Sequence, residues 1–575
     1  MYNLLKIIVL ILFFALSIRS KGQESFPENY FKPPVDITIS LSGTFGELRT
    51  NHFHSGIDIK TQGVEGLPIK AAADGFVARI AVSSGGLGKV VYIDHPNGYT
   101  TVYGHLRNFS PEMESWVKSE QYEHESFEVN LFPDADLFPV KVGDLIAFSG
   151  NSGSSEGPHL HFEIRKTDEE TPVNPLLFGF PVKDFTRPTI SRLLVYPHGQ
   201  EGRVQGKIRY AEFQTEGWGE NYRLKNNDTI KVAGEIFFGI EAWDLASNSQ
   251  NKNGVFSVGL FVDEALVFAY KMEAFDFEES RYINSLIDYR YFQKTGRRVQ
   301  KAFIEPNNHL SVYDENENQG VVSFKDDRFY KIKYVVSDAY HNQSMLSFIV
   351  KSASKFKRDE AVNSENKIVF GYKEDNWLER DNLVLMVPEE ALYDTIHFRY
   401  ATENAPKGCY SPVFVLHNKY TPLHTPCKLK IKPANIPSRY TEKALIVKLG
   451  DKQGQIFSAG GKWDGGFLET NIREFGKYTV MIDTIPPTIT PVNIANGKKI
   501  GQQKTIALKI KDNLAGIGNY RSTLNGKWIL MEYDPKNELL TYFIDENLKP
   551  GKNQFVLEVT DGRQNKKVFR AELVR

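Results

Sequence analysis

The sequence contains little cysteine, almost no net charge and only one long apolar run. Cys409 and Cys427 are its only cysteines, and 70 Lys and Arg against 71 Asp and Glu leave a formal net charge of −1. Balanced charge provides no field that would attract an anionic polymer, so we expect no nucleic-acid partner. Two cysteines exclude a cysteine-rich metal site, and in an exported chain a disulfide between them is favoured over two free thiols.

The single apolar run covers residues 7–18 and lies between Lys6 and Arg19. Roughly a dozen apolar residues are too few to span a bilayer comfortably, whereas they match the central region of a secretory signal. We therefore interpret residues 1–24 as a signal peptide, with an uncleaved anchor as the alternative because no A-x-A site is visible. This interpretation predicts an exported protein of the periplasm or cell envelope, with no transmembrane segment after signal cleavage.

Aromatic residues make up 13% of the chain, and their abundance favours β-structure. Apolar and polar residues alternate over 90–95, 100–106 and 160–165, which indicates half-buried strands separated by Gly-rich turns. Residues 35–182 are therefore predicted to form a small antiparallel β-sheet domain. The acidic and aromatic residues 111–139 interrupt the pattern, and we interpret them as an insertion between two strands that forms one wall of a cleft.

A repeat beyond residue 188 indicates a second kind of β-domain. An alternating strand ends in Asp, and Asn follows four residues later, at Asp244 and Asn248, Asp338 and Asn342, and Asp561 and Asn565. Such turns can fix the exit of a strand, and we interpret them as the ends of immunoglobulin-like β-sandwich sheets. A Ca²⁺ loop would need more closely spaced carboxylates, so turn formation is favoured over Ca²⁺ binding by these Asp residues.

The predicted fold class is therefore mostly β. An antiparallel sheet domain is followed by a β-sandwich over 187–352, a charged linker over 353–367 and a second β-sandwich over 368–483. A compact immunoglobulin-like domain over 484–575 ends the chain. The start of this last domain, P-P-T-I at 486–489, repeats the R-P-T-I sequence at 187–190.

Histidines cluster in the first 165 residues, in the sequences NHFHSGID, YGH and GPHLHFE. Residues two apart in a strand share a face, so His159, His161 and Glu163 are expected to point the same way. Two imidazoles on one face suit a metal ion and its water. Glu163 is interpreted as a supporting or rim residue rather than a ligand.

His54 and Asp58 are separated by Gly56 in a segment that reads as a turn entering a strand. A loop can present both side chains to one ion. Two His and one Asp make a mixed nitrogen and oxygen set that suits Zn²⁺. Three protein ligands leave the fourth position open for water, which is typical of a catalytic rather than a structural site.

The ordered set H-x-x-x-D, Y-G-H and G-P-H-L-H-F-E resembles the LytM/lysostaphin-type zinc metallopeptidases, peptidase family M23. The resemblance covers about a quarter of the chain. It implies a Zn²⁺ cofactor held by His54, Asp58 and His161, with His105 and His159 as the catalytic histidines. Some relatives place an inhibitory ligand upstream of the first motif, and Asn51 is the best candidate for that role.

The chemistry is consistent with this resemblance, although no H-E-x-x-H glutamate is present. A neutral His can take the proton of water, and a second His can stabilise an oxyanion. We assign His159 to the water and His105 to the oxyanion or leaving group, and the two roles can be exchanged. Tyr103 is either a further oxyanion donor or a residue packed in the sheet.

The resemblance implies a zinc metalloendopeptidase that hydrolyses peptide cross-links of bacterial peptidoglycan. The alternative is a non-catalytic scaffold or activator of other cell-wall hydrolases, and a third hypothesis is a protein whose sandwiches bind glycan or protein. The peptidoglycan peptide is the expected substrate, and envelope proteins are expected to bind through the β-sandwiches. The retention of both catalytic histidines and all three metal ligands favours the enzyme.

Overall fold

The computed structural model describes residues 26–226, 229–247, 250–353 and 368–575. The predicted signal peptide, nearly all of the predicted linker and Asn248 of the first D-x-x-x-N turn lie outside the described residues. Within the described ranges, no helix has both the length and the apolar character needed to cross a bilayer. The predicted fold class, mostly β, is confirmed.

The first part of the chain forms a nine-stranded antiparallel sheet in the order β1-β2-β11-β6-β5-β4-β8, with β12 beside β11 and β9 beside β4. A three-stranded sheet, β3-β10-β7, packs with it. The predicted strands are present. The twelve strands are β1 (Leu41–Gly43), β2 (Ile57–Lys60), β3 (Pro68–Lys70), β4 (Gly75–Val82), β5 (Lys89–Asp94), β6 (Tyr99–Leu106), β7 (Asn108–Phe109), β8 (Val129–Leu131), β9 (Pro139–Val140), β10 (Leu145–Phe148), β11 (His159–Lys166) and β12 (Pro172–Val173).

A helix, α1 (Pro111–Glu123), occupies the start of the predicted insertion. Proline within its first turn and Glu112 and Glu114 beside it suit a helix N-terminus. Met113 and Val117, four residues apart, are buried against the sheet. The charged remainder of the helix masks this short apolar stripe, so the sequence pattern did not predict a helix here.

The second part of the chain forms one continuous eleven-stranded sheet in the order β19-β16-β13-β14-β15-β23-β22-β17-β18-β20, with β21 beside β16. β16 also pairs with β23, so five of these strands close into a ring around a shared apolar core. The structure thus differs from a sandwich of two separate sheets. The strands are β13 (Thr189–Val204), β14 (Ala211–Trp218), β15 (Asn221–Leu224), β16 (Ile230–Trp243), β17 (Ser257–Val262), β18 (Ala265–Lys271), β19 (Gln300–Lys301), β20 (Tyr313–Asn316), β21 (Val322–Phe324), β22 (Phe329–Ser337) and β23 (Gln343–Ser352).

Two further sandwiches follow. The first packs the sheets β25-β26-β30-β34-β33 and β28-β29-β35-β31-β32 over one core, with the pair β24-β27 beside them. Its strands are β24 (Ile368–Phe370), β25 (Asn376–Arg380), β26 (Leu383–Val387), β27 (Ile396–Phe398), β28 (Tyr400–Glu403), β29 (Val413–Leu416), β30 (Pro422–Ile431), β31 (Ala444–Leu449), β32 (Ile456–Gly460), β33 (Lys462–Asp464), β34 (Phe467–Glu474) and β35 (Gly476–Ile482).

The C-terminal sandwich packs β36-β38-β42-β41 against β37-β44-β43-β39-β40. Its strands are β36 (Thr488–Pro491), β37 (Lys498–Lys499), β38 (Thr505–Lys511), β39 (Ile517–Leu524), β40 (Lys527–Trp528), β41 (Glu532–Asp534), β42 (Leu539–Phe543), β43 (Lys552–Asp561) and β44 (Lys566–Val574). Short helices are α2 (Ile283–Leu286), α3 (Tyr289–Thr295) and the 3₁₀ turns Pro175–Phe178, Glu278–Tyr282, Glu317–Gly320, Ser438–Lys443 and Pro535–Asn537.

The D-x-x-x-N sequences form the predicted turns where both residues are described. Asn342 donates its backbone N–H to Asp338 Oδ1 at 2.9 Å and its amide to Oδ2 at 2.7 Å. Asn565 repeats both contacts with Asp561 at 2.9 and 2.7 Å. Asp244 forms an antiparallel bridge with Asn253.

The predicted insertion does not lie alone at a cleft wall, because its helix packs against the C-terminal sandwich. Lys118 and Tyr122 of α1 contact Asp545 at 2.9 and 3.0 Å. Glu125 pairs with Arg521 at 2.6 Å. The insertion therefore forms an internal interface.

The expected disulfide is wrong, because Cys409 and Cys427 are free thiols. Cys427 lies on β30, in one sheet of its sandwich. The backbone of Cys409 pairs with Met481, which lies in the opposing sheet. Packed sheets are about 10 Å apart, and a disulfide needs Cα atoms within about 7 Å. Burial raises the pKa of the Cys427 thiol to about 12.

We expect both thiols to be alkylated when the purified chain is denatured without reductant. The measurement is intact mass after iodoacetamide treatment, with a reduced sample as the control. A chain that gains adducts only after reduction would contradict the free thiols.

Candidate metal centre

Asp58 and His161 face each other across two neighbouring strands. In the antiparallel pairing of β2 with β11 they are directly opposite, and opposite residues project to the same face. Leu160 and Phe162, on either side of His161, are fully buried on the other face. This register brings His161 Nδ1 to 3.0 Å from Asp58 Oδ1. The structure thus has the alternation that was predicted for this strand.

His54 reaches the same point from the loop before β2. A Cβ on Gly56 would lie 2.3 Å from the Phe162 carbonyl oxygen, so only glycine lets this loop pass so close to β11. His54 Nδ1 lies 2.9 Å from the Thr44 carbonyl oxygen, which directs Nε2 inward to 3.0 Å from Asp58 Oδ1. Single ligand atoms from His54, Asp58 and His161 therefore converge within 4.8 Å of one another.

The donor set fits Zn²⁺. All three side chains are buried, and two imidazoles with one carboxylate leave one position of a tetrahedral site open. His161 uses its second ring nitrogen, Nε2, for a 2.7 Å contact with Glu163 Oε1. Metal-binding histidines are commonly oriented through such contacts to carbonyl and carboxylate oxygens. The structure brings together the three residues that were expected to bind the metal.

Glu163 contacts His161 and two further side chains at the site. Its carboxylate accepts hydrogen bonds from Ser55 Oγ and Arg165 Nε, both at 2.6 Å. Burial opposes its ionisation, but Arg165 and His161 lower the pKa of Glu163 to about 2. A buried carboxylate that stays charged holds the His161 ring in place, which agrees with the supporting role predicted for this residue.

The carboxylate of Asp58 is likewise kept in its charged, ligating form. Burial would raise the pKa of Asp58, but the imidazoles of His54, His159 and His161 hold it well below its usual range. Its second oxygen, Oδ2, accepts a hydrogen bond from Arg49. The Arg49 contact leaves Oδ1 directed at the two ligand histidines.

Arg49, rather than Asn51, is the upstream side chain that contacts the ligand set. Asn51 accepts a hydrogen bond at 3.1 Å from Asn284, which lies on α2. This contact could not be predicted from the sequence, because 233 positions separate the two residues. The inhibitory role expected for Asn51 therefore finds no supporting contact among the described residues. Arg49 instead contacts Asp58 and orients its carboxylate.

His105 lies at a β-bulge. The pairing of β5 with β6 shifts register between Lys89 and Val91, and His105 has a left-handed φ of 59°. Bulges commonly redirect a side chain beside an active site. His105 Nδ1 lies 2.9 Å from the Ser152 carbonyl oxygen, and its ring centroid is 4.8 Å from that of His159.

The loop at residues 149–157 positions both of these histidines. Gly153 packs against Gly88, where a Cβ would lie 2.4 Å from the Gly88 nitrogen. His159 Nδ1 lies 2.8 Å from the Gly157 carbonyl oxygen, while its Nε2 is 3.4 Å from Asp58 Oδ1. Both predicted catalytic histidines therefore stand beside the three ligands.

Tyr103 has a structural role. Because of the bulge, its ring lies in the core against Phe162, at a centroid distance of 5.4 Å. Its hydroxyl accepts hydrogen bonds from the Ala72 N–H and the Thr101 hydroxyl, each at 2.9 Å. Of the two alternatives for Tyr103, the structure has the one in which it packs in the sheet.

Comparison with known proteins agrees with this geometry. Residues 52–122 match the description "Peptidase family M23". Lipoprotein NlpD of Yersinia enterocolitica is 32% identical over 116 residues, which cover 20% of this chain and 93% of that protein. The chain belongs to peptidase family M23. Within this M23 protein, residues 367–483 match a "Zu5-like domain".

Two other relatives each cover about a quarter of the chain. The DD-carboxypeptidase/endopeptidase Mpg of Neisseria meningitidis is 33% identical over 156 residues, which cover 26% of this chain and 30% of that protein. The chain thus spans less than a third of this curated relative's length. The catalytic domain of the M23 protein EnpA from Enterococcus faecalis is 28% identical, over 25% of this chain and 95% of that chain, with a TM-score of 0.20.

We expect Glu163→Gln to weaken Zn²⁺ binding by about 10- to 100-fold, as loss of a contact that orients a ligand commonly does. The neutral amide no longer holds the His161 ring through a charged contact. Competition with a zinc-binding dye measures the change. Glu170→Gln is the matched control, because Glu170 also lies near Arg165, at 3.7 Å, but is exposed. Equal zinc affinity in both variants would contradict the role of Glu163.

Proposed function

We propose that this M23 protein is an exported zinc metalloendopeptidase that hydrolyses peptide cross-links of bacterial peptidoglycan in the periplasm or cell envelope. The observation that carries the proposal is the convergence of His54, Asp58 and His161, with His105 and His159 beside them. The names of relatives support the substrate class, since one is a peptidoglycan DD-endopeptidase, ShyA of Vibrio cholerae, 27% identical over 168 residues.

The hydrogen bonds of His159 suit it to accept a proton. Its Nδ1 donates to the Gly157 carbonyl oxygen, so the neutral ring carries its lone pair on Nε2. This Nε2 is buried without a hydrogen-bond partner among the described residues. Zn²⁺ bound to the three ligands would supply a water of lowered pKa and a polarised carbonyl. His159 is then the general base for that water.

His105 has the same tautomer, because its Nδ1 donates to the Ser152 carbonyl oxygen. Burial, reinforced by His161 and His159, lowers the pKa of His105 to about 3, so its Nε2 carries a lone pair at neutral pH. A neutral ring of this tautomer has no proton on Nε2 to donate to an oxyanion, and a proton that it received from the attacking water would be passed on readily to the leaving amine. Of the two roles predicted for His105, this geometry favours the leaving group over an oxyanion donor.

The five retained residues favour an enzyme over a non-catalytic activator of other hydrolases. An activator needs only a binding surface and gains nothing from a buried carboxylate such as Glu163, which orients a metal ligand. Burying such a charge is costly without a function that uses it. The cell-wall activator therefore remains the alternative outcome of the experiment below.

We expect His159→Ala to lower the rate of cross-link cleavage by about 10²- to 10⁴-fold, the contribution of a general base, with zinc content unchanged. His161→Ala should lose both zinc and activity. The measurement is product analysis on defined muropeptides together with metal content by mass spectrometry.

His52→Ala is the matched control for these variants. His52 lies in the same motif, two residues before His54, but is exposed. It should keep zinc and full activity. A wild-type chain with bound zinc that leaves muropeptides uncut would contradict the enzyme and favour the activator.

The C-terminal sandwich contacts the loop that positions both catalytic histidines. Lys536 donates hydrogen bonds to the carbonyl oxygens of Asn151 and of Ser155, the latter at 2.9 Å. Lys89, next to this loop, pairs with Glu532 at 2.9 Å and is nearly buried. We infer that the sandwich fixes the loop in its working conformation.

Lys536→Ala should therefore reduce kcat by up to about 100-fold, the cost of misplacing catalytic groups by about 1 Å. Zinc content should not change, since none of the three ligands is in the loop. Lys527→Ala, an exposed lysine of the same sandwich, is the control. An unchanged or increased kcat for Lys536→Ala would contradict the positioning role.

A further inference from the structure

Three buried carboxylates meet where the peptidase sheet joins the eleven-stranded sheet. They belong to Asp184, Asp244 and Asp338, which are 8%, 3% and 4% exposed. One oxygen from each lies within 4.8 Å of the others. Asp184 lies in the segment before β13, and Asp244 and Asp338 directly follow β16 and β22, so the fold itself brings them together.

No positive side chain balances these charges within the described part of the chain. The hydrogen-bond donors to Asp184 are Thr186 N–H and the N–H and hydroxyl of Ser247, at 3.0 to 3.1 Å. Those to Asp338 come from Tyr340 and Asn342. Burial, with Asp184 and Asp338 nearby, raises the pKa of Asp244 to about 8. Buried charges are normally paired or bound to a metal.

Unpartnered polar atoms lie at or beside the cluster. Among the described residues, Asp244 Oδ1 is buried without a hydrogen-bond partner, and so are both amide atoms of Asn253, a residue 2% exposed. Asp244 and Asn253 exchange backbone hydrogen bonds of 3.0 and 2.8 Å across an antiparallel bridge. Residues that are opposite in such a pair project to the same face, so the Asn253 amide lies on the same side of this bridge as the Asp244 carboxylate.

The space between these groups suits a single ion. The three carboxylates line a cavity of about 20 Å³, together with Thr44 of the peptidase region. A water-sized sphere needs about 10–15 Å³ of such volume. Carboxylate and amide oxygens, with no nitrogen or sulfur, are the ligands of a hard cation, and Ca²⁺ accepts such irregular sets.

We propose that Asp184, Asp244, Asp338 and Asn253 bind a Ca²⁺ ion at the junction between the peptidase sheet and the eleven-stranded sheet. The ion neutralises the buried carboxylates and uses the unpartnered oxygens. Thr44 Oγ1 donates to the carbonyl oxygen of Gly254, the residue after Asn253, at 3.4 Å. The Thr44 carbonyl in turn contacts His54, so the ion steadies the segment beside a zinc ligand.

A second cluster provides an internal comparison. Asp483, Asp512 and Asp561 approach one another at the start of the C-terminal sandwich in the same way. There the carboxylates of Asp483 and Asp561 lie near the Arg563 guanidinium, and their charges favour its protonated form. Asp512 is only partly buried. Because the Arg563 guanidinium already supplies a positive charge, we propose no metal site at this second cluster. Asp512 serves as the position of the control variant.

The test uses the full chain loaded with one equivalent of zinc, titrated with CaCl₂ in a calorimeter. The wild type should bind one more equivalent of Ca²⁺ than Asp244→Asn, and Asp512→Asn should bind as much at this site as the wild type. Asn253→Ala, which keeps every carboxylate, should fold and bind Ca²⁺ more weakly. Equal Ca²⁺ stoichiometry in the wild type and Asp244→Asn would overturn the proposal.

Thermal unfolding gives an independent measurement. Ca²⁺ should raise the Tm of the wild type, because a ligand that binds only the folded state stabilises it. This rise in Tm should be abolished by EGTA and should be absent in Asp244→Asn. A wild-type Tm that does not change with Ca²⁺ would overturn the proposal.

Discussion

The site depends on the register between β2 and β11. Asp58 is opposite His161 only in this pairing, and a slip of one residue would turn every side chain to the other face. Ile57, Ile59, Leu160 and Phe162 are fully buried, so a slip would also expose apolar side chains worth roughly 1.5–3 kcal/mol each. The hydrophobic core thus fixes the positions of Asp58 and His161 by fixing the register.

The polar side of these strands carries a chain of charges that balance one another. Arg165 pairs with Glu163, Glu163 contacts His161, and His161 contacts Asp58. On the other side of Asp58, Arg49 occupies Oδ2. Each buried charge has a partner, which offsets the cost of removing it from water. The two arginines thereby hold the ligand atoms in place from opposite ends.

Strand periodicity could predict which way the side chains of β11 point, because alternation depends only on the local chain. His159, His161 and Glu163 share one face, and Leu160 and Phe162 the other. It could not predict Tyr103, whose orientation follows from the bulge at His105. Nor could it predict α1, where Met113 and Val117 provide only a short apolar stripe within a polar sequence.

Contacts between distant parts of the chain also could not be predicted from the sequence. A disulfide between Cys409 and Cys427 was plausible from spacing alone, but the two residues belong to opposing sheets. No pattern in the sequence predicts that Arg49 contacts Asp58, because only the folded chain brings the two side chains together. In each case the deciding contact was set by tertiary packing, which overrides local pattern.

These distant contacts let the other parts of the chain position the candidate metal centre. The loop before His54 is held by the second sheet, through Ser280, which accepts the Phe53 N–H at 2.9 Å, and through Gly254. The loop before His159 is held by Lys536 of the C-terminal sandwich. His54 and His159 therefore depend on contacts with different parts of the chain. The candidate metal centre is positioned by these outer parts as well as by its own sheet.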